Sequence, residues 1–285
     1  MTDELNQRAE LLKISDWGVV KARVFEDLCL DLRADGIEEE KAQKMCNPFL
    51  YMKNAKSVIV CIFSYNTPEK GNISKYAFGK DYHKVVSEKL REFAAPIVEK
   101  GYKCSVYSDS WDLNERYLAV AAGLGFVGDN HLFISPKFGS FVFIGVILTD
   151  CRIEKSNQCE NKCIGCGKCI EACPGGAISK GGAFKEEHCI SYISQKKGGL
   201  TEEETKLILD GGLIWGCDIC QNVCPYNKNA PYTQIEEFRD DKITELYIDE
   251  NMSNREFRKK YADRAFSWRG KQPLERNQKI LKNNK

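Results

Sequence analysis

The segment that decides the fold is "CIGCGKCIEACPGGAI", residues 163–178, joined by a second cysteine group, "CDICQNVCPYN", residues 217–227. The first group follows the C-x2-C-x2-C-x3-C-P spacing, in which three thiolates bind one cubane cluster and the fourth binds a second. Its members are Cys163, Cys166, Cys169 and Cys173. A structural zinc site needs only two close pairs of ligands, so this spacing favours iron and sulfur, with a four-thiolate zinc site left as the alternative.

The later cysteine group lacks a fourth ligand of its own, and crossing the ligands between the groups supplies it. The sequence therefore predicts two [4Fe-4S] clusters in a segment like a bacterial ferredoxin. We assign the first cluster to Cys163, Cys166, Cys169 and Cys224, and the second to Cys173, Cys189, Cys217 and Cys220. Cys189 is chosen because it is the only cysteine between the two groups, and Cys159 is its rival.

The remaining cysteines are expected to be small buried hydrophobic residues rather than disulfide partners. They are Cys29, Cys46, Cys61, Cys104, Cys151 and Cys159. The first residues are polar and the longest apolar stretch, Phe141–Leu148, is too short to cross a membrane. We therefore expect a cytoplasmic protein without a membrane partner, in which thiols stay reduced and a disulfide scaffold is disfavoured.

Strand-like and helix-like patterns alternate over the first half of the chain. Strands are predicted after Lys56, near Cys104 and after Phe141, and helices over residues 83–100 and 113–123. The alternation stops at about residues 151–158, where the cysteine-rich segment begins. The sequence therefore predicts an α+β fold. Its parts are an α/β domain with a mixed sheet (1–155), a ferredoxin-like double-cluster domain (156–230) and a basic helical tail (231–285).

The end of the chain is basic. From Asn254 onwards it carries eleven Lys or Arg against three Asp or Glu, whereas the whole chain has a net charge of +1. Such a run is typical of a solvated amphipathic helix, and contact with nucleic acid is the alternative. The glycine-rich "GLGFVG" from Gly123 follows a predicted helix rather than a strand, so it is interpreted as a turn, with a dinucleotide site as the lesser alternative.

Five stretches in order along the chain resemble the epoxyqueuosine reductase family, which is related to reductive dehalogenases. They are "KYAFGKDYH" from Lys75, "DSWDLNERYLAVAAGLGFVG" from Asp109, "ISPKFGSFVFIGVILTD" from Ile134, "HCISYIS" from His188 and "GCDICQNVCPYN" from Gly216. The resemblance implies a cobalamin in its base-off form, held by the first domain and reduced through the clusters. It also implies reductive removal of an epoxide oxygen from a modified tRNA nucleoside or a related smaller substrate. The implied partners are tRNA and a reduced ferredoxin- or flavodoxin-type electron donor.

The resemblance places Asp109 where the family has its general acid. An epoxide oxygen that gains negative charge needs a proton donor, and a donor near neutrality needs a raised pKa, which burial would supply. The alternative role of Asp109 is a helix N-cap. Four further positions match ones expected to contact the corrinoid or substrate: Ser191, Arg116, Tyr76 and His83. Alternatively, the Ser191 hydroxyl hydrogen-bonds to backbone groups, Arg116 is a solvated surface charge, and His83 has a core or capping role.

The chain departs from the family pattern in three places. Asp129 replaces a typical lysine beside the expected pocket, which would disfavour an anionic substrate. Trp111 and Asp112 replace a small residue and proline in the turn after Asp109. The family's C-terminal helical repeat region is represented only by its start. The departures leave a smaller substrate possible in place of tRNA. A separate alternative function is an electron carrier or corrinoid-reactivating protein without its own substrate, followed by clusters that only stabilise the fold.

Overall fold

The N-terminal half is built around one fully buried strand. The computed structural model of the chain describes residues 1–109, 111–155, 157–181 and 183–283. The helices and strands of this half are α1 (Thr2–Leu11), β1 (Asp16–Lys21), α2 (Glu26–Ala34), α3 (Glu39–Cys46), β2 (Ser57–Ser64), α4 (Tyr82–Glu99), β3 (Cys104–Tyr107), α5 (Glu115–Ala121), β4 (Phe126–Val127), β5 (Phe133–Ile134) and β6 (Val142–Thr149). All eight residues of β2 are buried, because helices cover both faces of its sheet.

The main sheet has the strand order β1-β2-β6-β3, and each neighbouring pair is antiparallel. The α+β class is confirmed, but the mixed sheet predicted from the alternation of strands and helices is wrong. The crossover through α4 does make β2 and β3 run in the same direction, as expected for such a unit. They are not neighbours, because β6 inserts between them and runs antiparallel to both.

Alternate residues of β2 belong to two different cores. Ile59, Cys61 and Phe63 pack with α1 and α4, whereas Val58, Val60 and Ile62 pack with α2 and α5. This follows from the two-residue period of a strand, which points successive side chains to opposite faces. α4 begins one residue before the predicted helix and is followed by Gly101 with φ 86°, as its sequence pattern predicted.

The structure corrects one prediction about cysteines. Cys29 on α2 and Cys46 on α3 are buried, as expected, but they form a disulfide with a Cα–Cα distance of 5.7 Å. α2 and α3 pack against each other, which brings the two residues within the usual bridging distance. They are 17 positions apart in the sequence, and nothing in that spacing indicates that the helices pair.

The glycine-rich segment is a turn, as interpreted. Gly123 follows α5 with φ 71°, and a side-chain carbon there would lie 2.2 Å from the Asn157 carbonyl oxygen. Only glycine is compatible with both the backbone conformation and the close approach. The segment then enters β4, which pairs with β5 in a two-stranded sheet.

The C-terminal half consists of short helices around the cysteine loops and a helical end segment. They are α6 (Lys168–Ala172), α7 (Ile190–Ser194), α8 (Glu202–Gly211), α9 (Ile219–Asn222), α10 (Glu236–Arg239), α11 (Asn254–Lys260) and α12 (Lys271–Lys282). Short 3-10 helices cover Pro48–Leu50, Lys75–Ala77, Glu186–His188, Pro225–Asn227 and Ala265–Ser267. No helix of the described residues is long and apolar enough to cross a bilayer.

The predicted basic tail is helical, but it is a packed part of the fold. Phe257, Phe266 and Leu274 are fully buried in a core shared with Ile73 and Trp215. The basic side chains at the end of α11 are exposed to solvent. Arg264, in contrast, is only 6% exposed, and its guanidinium donates to the Asp241 carboxylate at 2.7 Å. The last two residues of the predicted tail, and Ser156 at the predicted boundary, lie outside the described residues.

Candidate active site

A cavity of about 990 Å³ opens between the main sheet and the cysteine-rich segment. β6 contributes Val142, Phe143 and Ile144 to its wall, and α7 contributes Ser191 from the opposite side. Such a volume is at the upper end of the range for small-molecule sites. The cavity has room for a large planar ligand, and residues of both predicted domains line it.

Four cysteines line this cavity together: Cys173, Cys189, Cys217 and Cys220. The pKa of Cys217 is raised to about 12, mainly by burial, with smaller contributions from the neighbouring Asp218, Cys189 and Cys173. Burial is also the main cause of the raised pKa of Cys220, and the neighbouring cysteines add to it. The structure thus brings together the four residues that the crossed-ligand pattern assigned to the second cluster.

The other four assigned cysteines surround a separate small cavity: Cys163, Cys166, Cys169 and Cys224. Asp129 also lines this small cavity. Burial is the main cause of the raised pKa of Cys169, and the charge of Asp129 is the second. Asp129 was expected beside the substrate pocket. It does not line the large cavity itself, although the adjacent Asn130 does, and the turn between β4 and β5 places it at the first cysteine group. Cys159 lines neither cavity.

Local backbone geometry explains why distant cysteines converge. Gly167 adopts φ 73° before α6, and α6 packs against α9, which carries Cys220. Cysteines bound to a cubane each take a different iron, so they surround a volume rather than meet at one point. Among the described ranges, no group of three or more His, Cys, Asp or Glu converges on a single metal ion.

Asp218 ties the second cysteine loop to the first domain, and the sequence interpretation missed it. Its carboxylate accepts the Ser74 hydroxyl at 2.5 Å and the Lys75 backbone N–H at 2.7 Å. Burial raises the pKa of this carboxyl although these donors oppose the rise. The loop that carries Cys217 and Cys220 is therefore fixed against the wall that carries Tyr76.

Asp109 lies at the cavity with an exposed carboxylate and a positive φ of 50°. The Tyr82 hydroxyl donates to its Oδ2, and His83 Nε2 lies 3.6 Å from the same oxygen. The Asp109 backbone N–H donates to Glu115 Oε1 at 2.9 Å. Asp109 is not a helix cap, because Asn114 caps α5 by accepting the Tyr117 N–H.

The electrostatics of this group differ from the expectation. Partial desolvation by the cavity walls raises the pKa of Asp109, but hydrogen bonds from His83 and Tyr82 outweigh this effect, so the pKa is lowered rather than raised. Burial raises the pKa of Glu115 to about 8. Burial lowers the pKa of His83, yet Asp109 and Asp81 together raise it to about 9. At neutral pH the proton therefore resides on His83, next to an ionised Asp109.

The other predicted site residues also line the cavity: Tyr76, His83, Arg116 and Ser191. The Tyr76 hydroxyl accepts the Trp215 Nε1–H at 2.7 Å, which fixes its ring. Arg116 donates to the His131 backbone carbonyl, and burial lowers its pKa. The Ser191 carbonyl accepts the Ser194 hydroxyl at 2.9 Å within α7.

The turn after Asp109 is held by aromatic packing. The Trp111 ring stacks on Tyr107 with centroids 4.0 Å apart, and its Nε1–H donates to Glu115 Oε1 at 3.1 Å. Asp112 is exposed at the cavity. Ser110, in the same turn, lies outside the described residues. Glu115 was missed because a carboxylate beside Arg116 in a helix is typical of a solvated pair.

Two protein-family models match the chain. The model described as "4Fe-4S double cluster binding domain" matches residues 162–227. The model described as "Epoxyqueuosine reductase QueG, DUF1730" matches residues 46–110. The first match covers all eight assigned cysteines, and the second ends just beyond Asp109.

Similar proteins carry the same name over most of the chain. The epoxyqueuosine reductase of Bacillus cereus is 35% identical over 90% of this chain and 71% of its own length. A solved epoxyqueuosine reductase with a tRNA-Tyr epoxyqueuosine-modified stem loop has a TM-score of 0.83 at 29% identity, covering 98% of this chain and 80% of that one.

Two further solved structures are similar. The Bacillus subtilis epoxyqueuosine reductase, described with its catalytic aspartate loop swung out of the active site, has a TM-score of 0.82 at 28% identity over 98% of this chain and 80% of that one. A catabolic reductive dehalogenase shares the fold, with a TM-score of 0.51 at 16% identity over 79% of this chain and 32% of its own.

Proposed function

The chain belongs to the epoxyqueuosine reductase family, and on that premise we propose that it reductively removes the epoxide oxygen from a modified tRNA nucleoside. The enzyme is an oxidoreductase, as its named relatives are. The observation that carries the proposal is a single cavity lined both by four cysteines and by Asp109. Electron delivery and proton delivery would thus meet at one place.

The residues present suit two clusters as cofactors. The first would be held by Cys163, Cys166, Cys169 and Cys224, and the second by Cys173, Cys189, Cys217 and Cys220. Their grouping around two cavities supports this assignment. Because the second group opens into the large cavity, it would pass electrons to the ligand there, and the first group would receive them from a reduced ferredoxin- or flavodoxin-type donor.

The large cavity also suits a corrinoid. Its volume of about 990 Å³, its apolar wall of Phe143 and Ile144, and the adjoining cysteines support cobalamin in its base-off form. When bound, cobalamin supplies a strongly reducing nucleophilic cobalt. Tyr76, Ser191 and Arg116 would position the ring or the substrate, since all three line the same space.

Asp109 would be the proton donor to the epoxide oxygen. An oxygen that becomes an alkoxide is far more basic than a carboxylate and takes up a proton from a positioned acid. Because the pKa of Asp109 is lowered, the proton would come from His83, whose Nε2 lies 3.6 Å from Asp109 Oδ2. The catalytic aspartate loop of the Bacillus subtilis relative supports this role.

The substrate and setting follow from the relatives. One of them is solved with an epoxyqueuosine-modified tRNA stem loop, which supports the tRNA nucleoside over a smaller molecule. A pure electron carrier needs no cavity in front of a proton donor, so the alternative without a substrate is disfavoured. A tRNA substrate also agrees with the cytoplasmic location that the cysteine content predicts.

Titration of the cluster-loaded protein with cobalamin under anaerobic conditions tests the proposal. We expect one cobalamin to bind per chain, with a shift in its visible spectrum. Placing a larger side chain at Ser191 (Ser191→Trp) should weaken that binding. Asn251→Trp, at an exposed position that lines none of the described cavities, should not. A spectrum unchanged by the protein would contradict the proposal.

A further inference from the structure

Trp268 is the most exposed of the described aromatic residues that line the cavity. Its side chain is 59% exposed, whereas Tyr65 and Phe143 in the same wall are less than a tenth exposed. It directly follows the 3-10 helix Ala265–Ser267, which packs against the 3-10 helix Lys75–Ala77. Because this exposed indole belongs to the lining of the cavity, a ligand that enters the cavity can contact it.

Arg269 holds the Trp268 ring in place. Its guanidinium carbon lies 3.8 Å from the centroid of the indole, the geometry of a cation–π contact. The Nε atom of Arg269 is buried and has no hydrogen-bond partner within the part of the chain that the structure describes. The guanidinium lies over the indole, and Trp268 remains 59% exposed, so a planar group can still contact it.

A second open aromatic lies on the same cavity. Phe184 is 39% exposed and packs on His131, with ring centroids 5.5 Å apart. It belongs to the loop before α7, so it reaches the cavity from the cysteine-rich segment, whereas Trp268 reaches it from the C-terminal segment. The opening is therefore bordered by aromatic surfaces from two parts of the chain.

Open aromatic rings backed by arginine are the usual means of holding unstacked bases of single-stranded RNA. We propose that Trp268, fixed by Arg269, is the stacking platform for a nucleobase that neighbours the modified nucleoside. The inference rests on the proposed function. The modified nucleoside must enter the cavity to reach Asp109, and the base next to it is left at the rim, where Trp268 is exposed.

Trp268→Ala and Trp268→Phe, compared with Tyr232→Ala, test this role. Tyr232 is a matched control because it is 58% exposed and lines none of the described cavities. On an epoxyqueuosine-modified stem loop, Trp268→Ala should raise KM and the Kd by about tenfold with little change in kcat, since base stacking contributes this much. Trp268→Phe should restore most of the affinity, and Tyr232→Ala should match wild type.

The free epoxyqueuosine nucleoside, which has no neighbouring base, separates the possible roles. Trp268→Ala should leave its turnover and the cobalamin Kd unchanged. An unchanged stem-loop Kd, or a weakened cobalamin Kd, would overturn the inference. Stem-loop binding is measured without turnover. If wild type binds the stem loop but does not convert it, the proposed function fails while the Trp268 variants still decide this inference.

Discussion

At the scale of single residues, the site depends on how one carboxylate is surrounded. Asp109 faces a protonated His83 and the Tyr82 hydroxyl, and its backbone is held by Glu115. Asp81 accepts from His83 Nδ1 at 2.7 Å and so fixes the ring that faces Asp109. The arrangement stores a proton on His83 and presents it through Asp109 Oδ2 to the cavity.

Asp109→Asn should lower turnover by about a hundredfold or more, because an amide cannot transfer the proton. Iron content should stay at the wild-type value, because Asp109 is not one of the eight assigned cluster ligands. The matched control is Asp210→Asn, an exposed carboxylate on α8. Equal turnover in Asp109→Asn and wild type would remove Asp109 from the reaction.

His83 should make stability depend on pH. Its pKa of about 9 in the folded protein lies above the ordinary value of 6.5, so the folded state binds the proton more tightly. That stabilisation is complete below pH 6.5 and is lost as the pH rises through 9. Wild type should therefore lose stability relative to His83→Gln between pH 6.5 and 9 in urea unfolding. Parallel curves for the two proteins would refute the raised pKa.

Asp129 should lower the reduction potential of one cluster only. Its carboxylate lies at the small cavity with the first cysteine group, and a nearby negative charge disfavours an added electron. Asp129→Asn should shift the midpoint potential of that cluster upwards in a redox titration followed by electron paramagnetic resonance. The potential of the other cluster is the internal control. A shift of both, or of neither, would contradict the placement.

At the scale of elements, each cysteine loop contributes one ligand to the group formed mainly by the other loop. Cys224 follows α9 yet lines the cavity of the first group, and Cys173 follows α6 yet lines that of the second. Cys224→Ala should therefore lose about four of the roughly eight irons of the chain. Cys159→Ala should keep all of them in an iron assay, and equal iron content in both variants would contradict the crossed assignment.

The disulfide between α2 and α3 should stabilise the first domain. Bridging residues 17 positions apart restricts the unfolded chain, which is worth about 3 kcal/mol. The Cys29→Ala, Cys46→Ala double variant should be less stable than oxidised wild type by about this amount. The difference should shrink when wild type is reduced beforehand. If reduction leaves wild-type stability unchanged, the bond contributes nothing.

Local patterns predicted these elements well, and contacts between elements poorly. The helix over α4 and the buried strands β2 and β6 follow from periodicity, which is local. The insertion of β6 between β2 and β3, and the pairing of Cys29 with Cys46, depend on packing that no local pattern encodes. The cysteine spacing indicated which ligands would cross, because the spacing itself is the geometric constraint.

The site was predicted in part for the same reason. Asp109 and Tyr76 were found through a resemblance in sequence, and the cavity does bring them together. The lowered pKa of Asp109 and the raised pKa of Glu115 depend on surroundings in space, so the direction for Asp109 could not be predicted from the sequence. Trp268 carries no distinct signal, since an aromatic in a basic helical segment is usually core.

At the scale of the whole molecule, three segments meet at one cavity. The sheet supplies a rigid wall, Asp218 fixes the cysteine loop against it, and the C-terminal helices bury Phe257 and Leu274 against the same region. The C-terminal segment is thus a structural part of the enzyme. This arrangement would bring the electron-delivering cysteine group, the proton donor and the substrate together in the cavity.

The most direct test of the account is conversion of an epoxyqueuosine-modified tRNA stem loop by the anaerobic protein supplied with both clusters, cobalamin and a low-potential reductant. Mass spectrometry of the digested RNA should show that the modified nucleoside has lost one oxygen atom, and only when cobalamin is present. A nucleoside of unchanged mass, from protein with full iron content and bound cobalamin, would contradict the account.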